Sequence, residues 1–210
     1  MDRRSYLISA FDDIIFDFGG VLMKHDREGC LEAFRQMMAE QDITNVLGLG
    51  NEQPGTLRER FELGELTAEE FIGQVLTLCK PGTTAQQVIG AWNKIHAGIA
   101  DSAWEEIRRL KDNGYRLYLF SNTDAIHWQH TLALYKDKMD ASFDRVFLSF
   151  EMGLCKPDAR AFEYVNNAIG ANPSRTCFVD DNAANRLAAE RLAGWKTYKS
   201  IDELLKLNKP

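Results

Sequence analysis

The sequence predicts an α/β fold: a doubly wound, Rossmann-like parallel sheet with a small all-helical cap inserted after its first strand. From residue 101 onward, short apolar strands alternate with helices, which is typical of a parallel sheet covered on both faces. Between residues 25 and 100 the apolar spacing is helical, and no strand pattern interrupts it. We therefore predict a core of residues 1–24 and 101–210 and a helical cap of residues 25–100.

The core elements have recognisable starts and ends. The β-branched run IIF, which ends at Asp17, predicts the first strand. Pro157 in the first turn and Gly170 after the last turn frame one helix. The pattern predicts further strands over 115–121, 145–149, 175–179 and 195–199, and helices over 102–113, 124–135, 156–170, 182–194 and 200–207. Each strand is followed by a helix, as a parallel sheet requires.

The cap segment predicts a series of short helices. Apolar residues of 27–41 recur at helical spacing, and residues 55–79 predict two helices that are separated at Gly64. Thr67 followed three residues later by Glu70 is a capping-box signature for the second of these. Residues 83–99 predict one more helix.

Composition excludes several classes of protein. The net charge of −6 disfavours binding to nucleic acid or to an anionic membrane, which needs a basic face. No apolar run is long enough to cross a membrane, and the N-terminus has no apolar segment typical of a secretory signal. The four cysteines lack C-x-x-C spacing and are expected to be reduced thiols, so we expect a cytoplasmic protein. Its oligomeric state cannot be predicted, and a monomer is compatible with the sequence.

Carboxylates follow two of the predicted strands. Asp17 ends the first strand, and Asp180 and Asp181 follow a later one. The carboxyl ends of parallel strands meet at one edge of the sheet, which is where ligands bind in such folds. Three acids placed together need a neutralising cation, and an all-oxygen ligand set favours Mg²⁺.

Groups suited to an anion are predicted at the same edge. Ser121 and Asn122 end a strand and precede a helix, and Lys156 precedes another helix. Hydroxyl and backbone N–H groups at a helix start bind anionic oxygens, and a lysine adds a point charge. Together with the acids, these groups suit phosphoryl transfer to an aspartate nucleophile.

Four segments resemble, in chain order, the four motifs of the haloacid dehalogenase superfamily. They are FDFGGVL, LFSNTD, KPDARAF and FVDDNAAN, and the resemblance runs from about residue 14 to residue 195. With FELGELTAEEF in the cap, the sequence looks most similar to the sugar-phosphatase branch, which includes α-D-glucose-1-phosphate phosphatases. The resemblance implies a magnesium-dependent hydrolase acting on a small phosphorylated metabolite.

The resemblance also implies the roles of the acidic residues. Asp17 would be the nucleophile and a magnesium ligand. The backbone carbonyl of Gly19 and the carboxylate of Asp181 would be further ligands, and Asp180 would act either on the metal directly or through another ligand. Asn185, one helical turn after the acidic pair, would support them.

The phosphoryl group would contact a second set of residues. By the same resemblance, Ser121, Asn122 and Gly20 would bind the transferring phosphate, and Lys156 would steady both the phosphate and Asp17.

Gly19 departs from the pattern of most phosphatases of the superfamily, which carry a second aspartate there as general acid and base. A positioned acid accelerates such reactions by about 10²–10⁴. Either a good leaving group needs little help, or water or the cap supplies the proton, with His25, Asp26 and Glu65 as candidates. The remaining alternatives are a 2-haloacid dehalogenase, which lacks this aspartate too, and a catalytically silent domain that binds a phosphorylated ligand or a partner. The adjacent acids at 180 and 181 weaken the dehalogenase reading, because that reaction needs no cation.

Substrate choice is expected to depend on the cap. Four charged residues lie where the cap would meet the substrate: Arg58, Arg60, Glu62 and Glu65.

Overall fold

The computed structural model describes residues 10–48 and 55–206 of the chain. Its seven strands are β1 (Asp13–Phe16), β2 (Met23–His25), β3 (His96–Ile99), β4 (Arg116–Ser121), β5 (Arg145–Leu148), β6 (Thr176–Val179) and β7 (Lys196–Tyr198). Five of them form a parallel sheet in the order β5-β4-β1-β6-β7. The predicted α/β class is therefore confirmed.

Eleven α-helices accompany these strands in the described residues. They are α1 (Arg27–Arg35), α2 (Glu40–Leu47), α3 (Leu57–Glu62), α4 (Ala68–Leu78), α5 (Ala85–Asn93), α6 (Asp101–Asp112), α7 (Ala125–Ser142), α8 (Ser149–Met152), α9 (Ala159–Ile169), α10 (Ala183–Ala188) and α11 (Ile201–Leu205). A π-helical turn, Ala189–Ala193, continues α10. No described helix is long and apolar enough to cross a membrane.

Both faces of the sheet are buried under helices. Successive strand residues point to opposite faces, so Ile14 and Phe16 join a cluster with α6, α7 and α11, while Ile15 joins one with α9 and the π-helical turn. The apolar run of β1 needs this two-sided cover, since all four of its residues are buried.

Helices α1 to α5 form a separate apolar core. It contains Phe34, Phe61, Phe71 and Trp92, and Ile126 of α7 is the one buried residue that the rest of the described fold adds to it. The predicted break at Gly64 and the capping box of α4 are confirmed. The division of the chain at residues 24/25 and 100/101 stays a prediction.

Two strands were missed by the sequence analysis. The expectation of a helix over 83–99 and of no strand between residues 25 and 100 was wrong: α5 ends at Asn93, and β3 pairs antiparallel with β2. β2 is MKH and β3 is HAGI, each with one buried residue, so neither carries the apolar run that marked the other strands. Gly98 has φ +98°, outside a helix. Residues 1–9, where no secretory signal was expected, lie outside the described residues.

The cap helices contact the core closely at Gly64. This residue has φ +71°, and an added Cβ would overlap the carbonyl oxygen of Phe150 in α8. Helix α3, just before it, packs against α8. Glycine thus allows α3 to lie directly over the carboxyl edge of the sheet.

Candidate active site

The three central strands bring Asp17, Ser121 and Asp180 to one edge of the sheet. β1 lies between β4 and β6 in parallel register, and the residue at the end of each strand is buried. The backbone N–H of Asp17 donates to the carbonyl of Val179 at 2.7 Å, which continues the β1–β6 pairing up to the site. The predicted convergence of these strand ends is therefore present in the fold.

Lys156 joins these strand ends from the start of α9. Its Nζ donates to Asp17 Oδ1 at 2.7 Å, to Asp180 Oδ2 at 2.8 Å and to the carbonyl of Phe120 at 2.8 Å. Burial lowers the pKa of this lysine, but the two carboxylates outweigh burial and hold the pKa above its usual value. The Lys156 side chain is 1% exposed, and its ammonium stays charged between the two acids.

Asn122 positions that lysine. Its side-chain oxygen accepts from the backbone N–H of Lys156 at 2.9 Å, and its amide nitrogen donates to the carbonyl of Lys156 at 2.8 Å. The predicted phosphate ligand Asn122 thus has most of its side-chain bonding capacity engaged. Among the described residues, the Ser121 hydroxyl makes a single long contact of 3.4 Å with the carbonyl of Asn122, so it can turn toward an anion.

Three carboxylates lie close enough to share a cation. Each of Asp17, Asp180 and Asp181 offers an oxygen within 4.8 Å of the others, and they form the one such group among the described residues. Burial raises the pKa of Asp17 to about 6, Asp180 adds to the increase, and Lys156 opposes it. A cation bound here would favour the ionised form of Asp17.

The two adjacent acids differ in their surroundings. Asp180 is fully buried: one oxygen accepts from Lys156 and from Asn185 at 3.0 Å, and the other accepts from the Asn182 N–H at 2.8 Å. Asp181 is exposed, and its carboxylate has no hydrogen bond within residues 10–48 and 55–206. Asp181 is therefore the more available ligand.

Gly20 makes space for Asp181. It has φ +78°, and an added Cβ would overlap the Asp181 carboxylate. Its N–H already donates to the carbonyl of Met23 at 2.9 Å. Gly20, predicted to bind phosphate, therefore has no free backbone donor, and its lack of a side chain keeps the metal-ligand side of the site open.

A cavity of about 560 Å³ lies between these residues and the cap helices. Its floor is polar and includes Asp17, Ser121, Lys156 and Asp181. Its roof is partly apolar: Cys30, Leu31, Leu47, Trp92 and Ile95. The indole N–H of Trp92 donates to Asp124 at 3.0 Å, which ties the roof to the N-terminus of α7.

His25 occupies the space above Gly19. An added Cβ on Gly19 would lie 2.7 Å from both Cε1 and Nε2 of the His25 ring, and both residues line the cavity. Of the other two predicted proton donors, Asp26 caps α1 by accepting from the Gly29 N–H at 2.8 Å, and Glu65 does not line the cavity. His25 is thus the candidate that reaches the site.

The four charged cap residues separate into two pairs. Arg58 and Glu62 line the cavity and form an ion pair of 2.7 Å. Arg60 and Glu65 pair at 3.5 Å outside it. Sequence spacing did not distinguish the two pairs, because all four residues lie within eight positions.

Two half-buried histidines add no charge to the cavity. Burial lowers the pKa of His96 to about 3 and that of His127 to about 3, so both are neutral at neutral pH. The cationic groups that line the cavity are therefore Lys156, Arg58 and the exposed Arg27.

Comparison with known proteins decides the family. A model of haloacid dehalogenase-like hydrolases matches residues 12–193. The chain belongs to this family. A D-ribitol-5-phosphate phosphatase of Bacteroides thetaiotaomicron is 28% identical over 192 residues, 89% of this chain and 90% of that protein. A sesquiterpene phosphatase of Aspergillus oryzae is 25% identical over 186 residues, 88% of this chain and 87% of that protein.

A solved structure of the family has the same fold. A haloacid dehalogenase family enzyme of Bacteroides thetaiotaomicron, in complex with magnesium and inorganic phosphate, superposes with a TM-score of 0.81 and 30% identity. The match covers 90% of this chain and 93% of that one. The predicted resemblance to the superfamily is confirmed.

Two supporting residues of this haloacid dehalogenase-like hydrolase were missed by the sequence analysis. Arg186 donates to the carbonyls of Asp180 at 2.7 Å and Asp181 at 2.9 Å, which holds the acidic loop. Ser149, fully buried, exchanges hydrogen bonds of 2.9 Å with the backbone of Thr123 and fixes the loop after β4. The role of Arg186 could have been predicted, because it is a basic residue one turn into the helix that follows the acidic pair. No local sequence feature indicated the role of Ser149.

Proposed function

We propose that the protein is a magnesium-dependent phosphatase that hydrolyses a small phosphate monoester, of the sugar-phosphate class, through an aspartyl-phosphate on Asp17. The observation that carries the proposal is the position of Asp17. Its carboxylate and that of Asp180 both accept hydrogen bonds from Lys156. The carboxylate of Asp181, which has no hydrogen bond within the described residues, lies close enough to share a cation with Asp17. The magnesium and phosphate of the related structure add support.

The residues present fit a hard divalent cation. Asp17, Asp181 and the backbone carbonyl of Gly19 would hold it, since all three offer oxygen ligands. When bound, the ion supplies positive charge to the phosphoryl oxygens. Asp180 has hydrogen bonds to both of its oxygens, so we assign it to positioning Lys156.

The chain's own residues then carry the two steps. The Asp17 carboxylate attacks phosphorus, and the bond from phosphorus to the leaving oxygen breaks. The Ser121 hydroxyl donates to a phosphoryl oxygen, and the Lys156 ammonium, whose three donors are held by Asp17, Asp180 and Phe120, supplies positive charge beside the phosphoryl group. Water next attacks phosphorus, the bond to Asp17 breaks, and inorganic phosphate leaves.

His25 is proposed to transfer the proton in both steps. It gives a proton to the departing oxygen in the first step and takes one from the attacking water in the second. Burial and then the charge of Arg27 lower the pKa of His25, whereas a phosphate dianion in the cavity raises it. The imidazole of His25 therefore occupies the space that the side chain of an aspartate at position 19 would fill.

A replacement pair tests this role. His25→Ala should lower kcat/KM, which reports the first step, about 10²-fold or more for alkyl phosphates, and much less for p-nitrophenyl phosphate, whose leaving group needs no proton. Adding Gly19→Asp to His25→Ala should recover part of the loss, because the ring that blocks this side chain is gone. Equal losses on both substrates, or no recovery in the double variant, would contradict the role of His25.

A substrate panel with metal removal tests the proposed function. Purified protein should release phosphate from sugar and polyol phosphates in Mg²⁺, and EDTA should abolish the release, with recovery when Mg²⁺ is restored. Chloride release from 2-chloropropionate that survives EDTA would instead identify the dehalogenase alternative. Ligand binding without turnover of any substrate would identify the silent domain.

A further inference from the structure

We infer that Arg58 and Glu62 bind hydroxyl groups of the leaving group, so that the protein selects phosphate esters of sugars or polyols over those of apolar alcohols. The inference rests on the proposed phosphatase function. It concerns the part of the same cavity that would hold the leaving group, at the end opposite the phosphoryl group.

The pair lies within the cavity. Arg58 and Glu62 occupy successive turns of α3, with Nε donating to Oε1 at 2.7 Å, and both line the space above Asp17 and Lys156. The Glu62 side chain is 14% exposed and that of Arg58 is 48% exposed. Because the phosphoryl group must lie against Asp17, the remainder of a substrate extends toward this pair.

Each member of the pair has unused bonding capacity. Besides Glu62, Arg58 has one long contact of 3.5 Å with the carbonyl of Leu47. Within residues 10–48 and 55–206, no hydrogen bond is made by the second Glu62 oxygen or by Arg58 Nη2. One ion pair therefore offers both a free acceptor and a free donor to the cavity. A hydroxyl group both donates and accepts, so neighbouring hydroxyls match this arrangement.

Other leaving groups match it less well. The pair is neutral as a whole, so a second phosphate would meet the Glu62 carboxylate and a cationic alcohol would meet the Arg58 guanidinium. An apolar alcohol would displace water from both groups and give them no partner, which is unfavourable. Because one relative is a sesquiterpene phosphatase, phosphate esters of apolar alcohols have to be weighed against those of sugars and polyols. The Arg58–Glu62 pair favours the hydroxylated substrates.

The second ion pair provides a matched control. Arg60 and Glu65 carry the same charges, but they pair at 3.5 Å with side chains 40% and 54% exposed, outside the cavity. A change in Glu65 should therefore leave substrate choice unaltered.

The test compares substrates within each variant. We would measure kcat/KM for hexose and pentitol monophosphates, farnesyl phosphate and p-nitrophenyl phosphate in Mg²⁺. The wild-type protein should prefer the hydroxylated esters to farnesyl phosphate. Glu62→Gln should lower the ratio of hydroxylated ester to p-nitrophenyl phosphate about tenfold to hundredfold, the usual contribution of a hydrogen bond to a charged group. Arg58→Gln should shift it in the same direction, and Glu65→Gln should not.

The outcomes separate this inference from the proposed function. Preference of the wild type for farnesyl phosphate, or an unchanged ratio in both Glu62→Gln and Arg58→Gln, would overturn the inference while leaving the phosphatase intact. An equal loss on every ester would overturn it too, because the pair would then be structural. No turnover of any ester by the wild type would overturn both.

Discussion

Asp17→Asn should reduce phosphate release by at least about 10⁴-fold, the scale of loss when an enzyme loses its nucleophile. An amide oxygen cannot attack phosphorus as a carboxylate does, and it donates less charge to a bound cation. The fold should persist: burial raises the pKa of Asp17 to about 6, so the charged form is disfavoured in the folded state, and a neutral isostere removes that penalty. The measurement is steady-state phosphate release together with the thermal unfolding midpoint.

Asp140→Asn is the matched control for this variant. Asp140 is exposed, pairs with Lys136 near the C-terminal end of α7 and does not line the cavity, so activity should stay within about twofold. Undiminished turnover in Asp17→Asn would refute the nucleophile assignment. A fall in the unfolding midpoint large enough to unfold the variant at assay temperature would show that Asp17 has a structural role instead.

Lys156→Met should lower the free energy of unfolding by about 3–5 kcal/mol in EDTA, because it removes the cation from a buried cluster and leaves two carboxylates uncompensated. Asp17 and Asp180 both accept hydrogen bonds from Lys156 Nζ, and methionine fills a similar volume without a charge. The repulsion is present while the acids are ionised. It should therefore shrink as pH falls from about 8 to about 5, because burial raises the pKa of Asp17 to about 6 and this acid takes up a proton in that range. Turnover should be lost at every pH.

Lys136→Met provides the comparison for the lysine. Both side chains of its ion pair with Asp140 are exposed, so its loss should leave the free energy of unfolding nearly unchanged at any pH. Denaturant unfolding of both variants at several pH values measures the difference. A Lys156→Met protein as stable as the wild type at neutral pH would contradict the buried charge balance described above.

The sheet and its acidic edge could be predicted because their signals are local. Each strand that ends in Asp17, Ser121 or Asp180 is a short apolar run with its polar residue directly after it. Parallel strands then meet at one edge by geometry alone. The link from Lys156 to Asp17 spans 139 positions; the position of Lys156 before a helix predicted it at the same edge, and the motif resemblance implied that it steadies Asp17.

The parts that sequence could not supply depend on how the cap lies on the core. His25 reaches Gly19 through the ribbon of β2 and β3, which formed no recognisable pattern. Arg58 and Glu62 line the cavity, whereas Arg60 and Glu65 do not, because of the way α3 is rotated where it packs on α8. Asn122 was predicted to hold phosphate, but its partner is the backbone of Lys156, which no local spacing reveals.

The most direct measurement is of phosphate covalently attached to Asp17. Excess protein would be mixed in Mg²⁺ with a phosphate ester that it hydrolyses. The reaction would be quenched in acid within a single turnover, and the protein would be digested and examined by mass spectrometry. We predict one added phosphoryl group on the peptide that contains residues 14–22, absent in Asp17→Asn and absent in EDTA. Phosphate release at an undiminished rate, with this peptide unmodified at every quench time or with the group on another residue, would contradict the account.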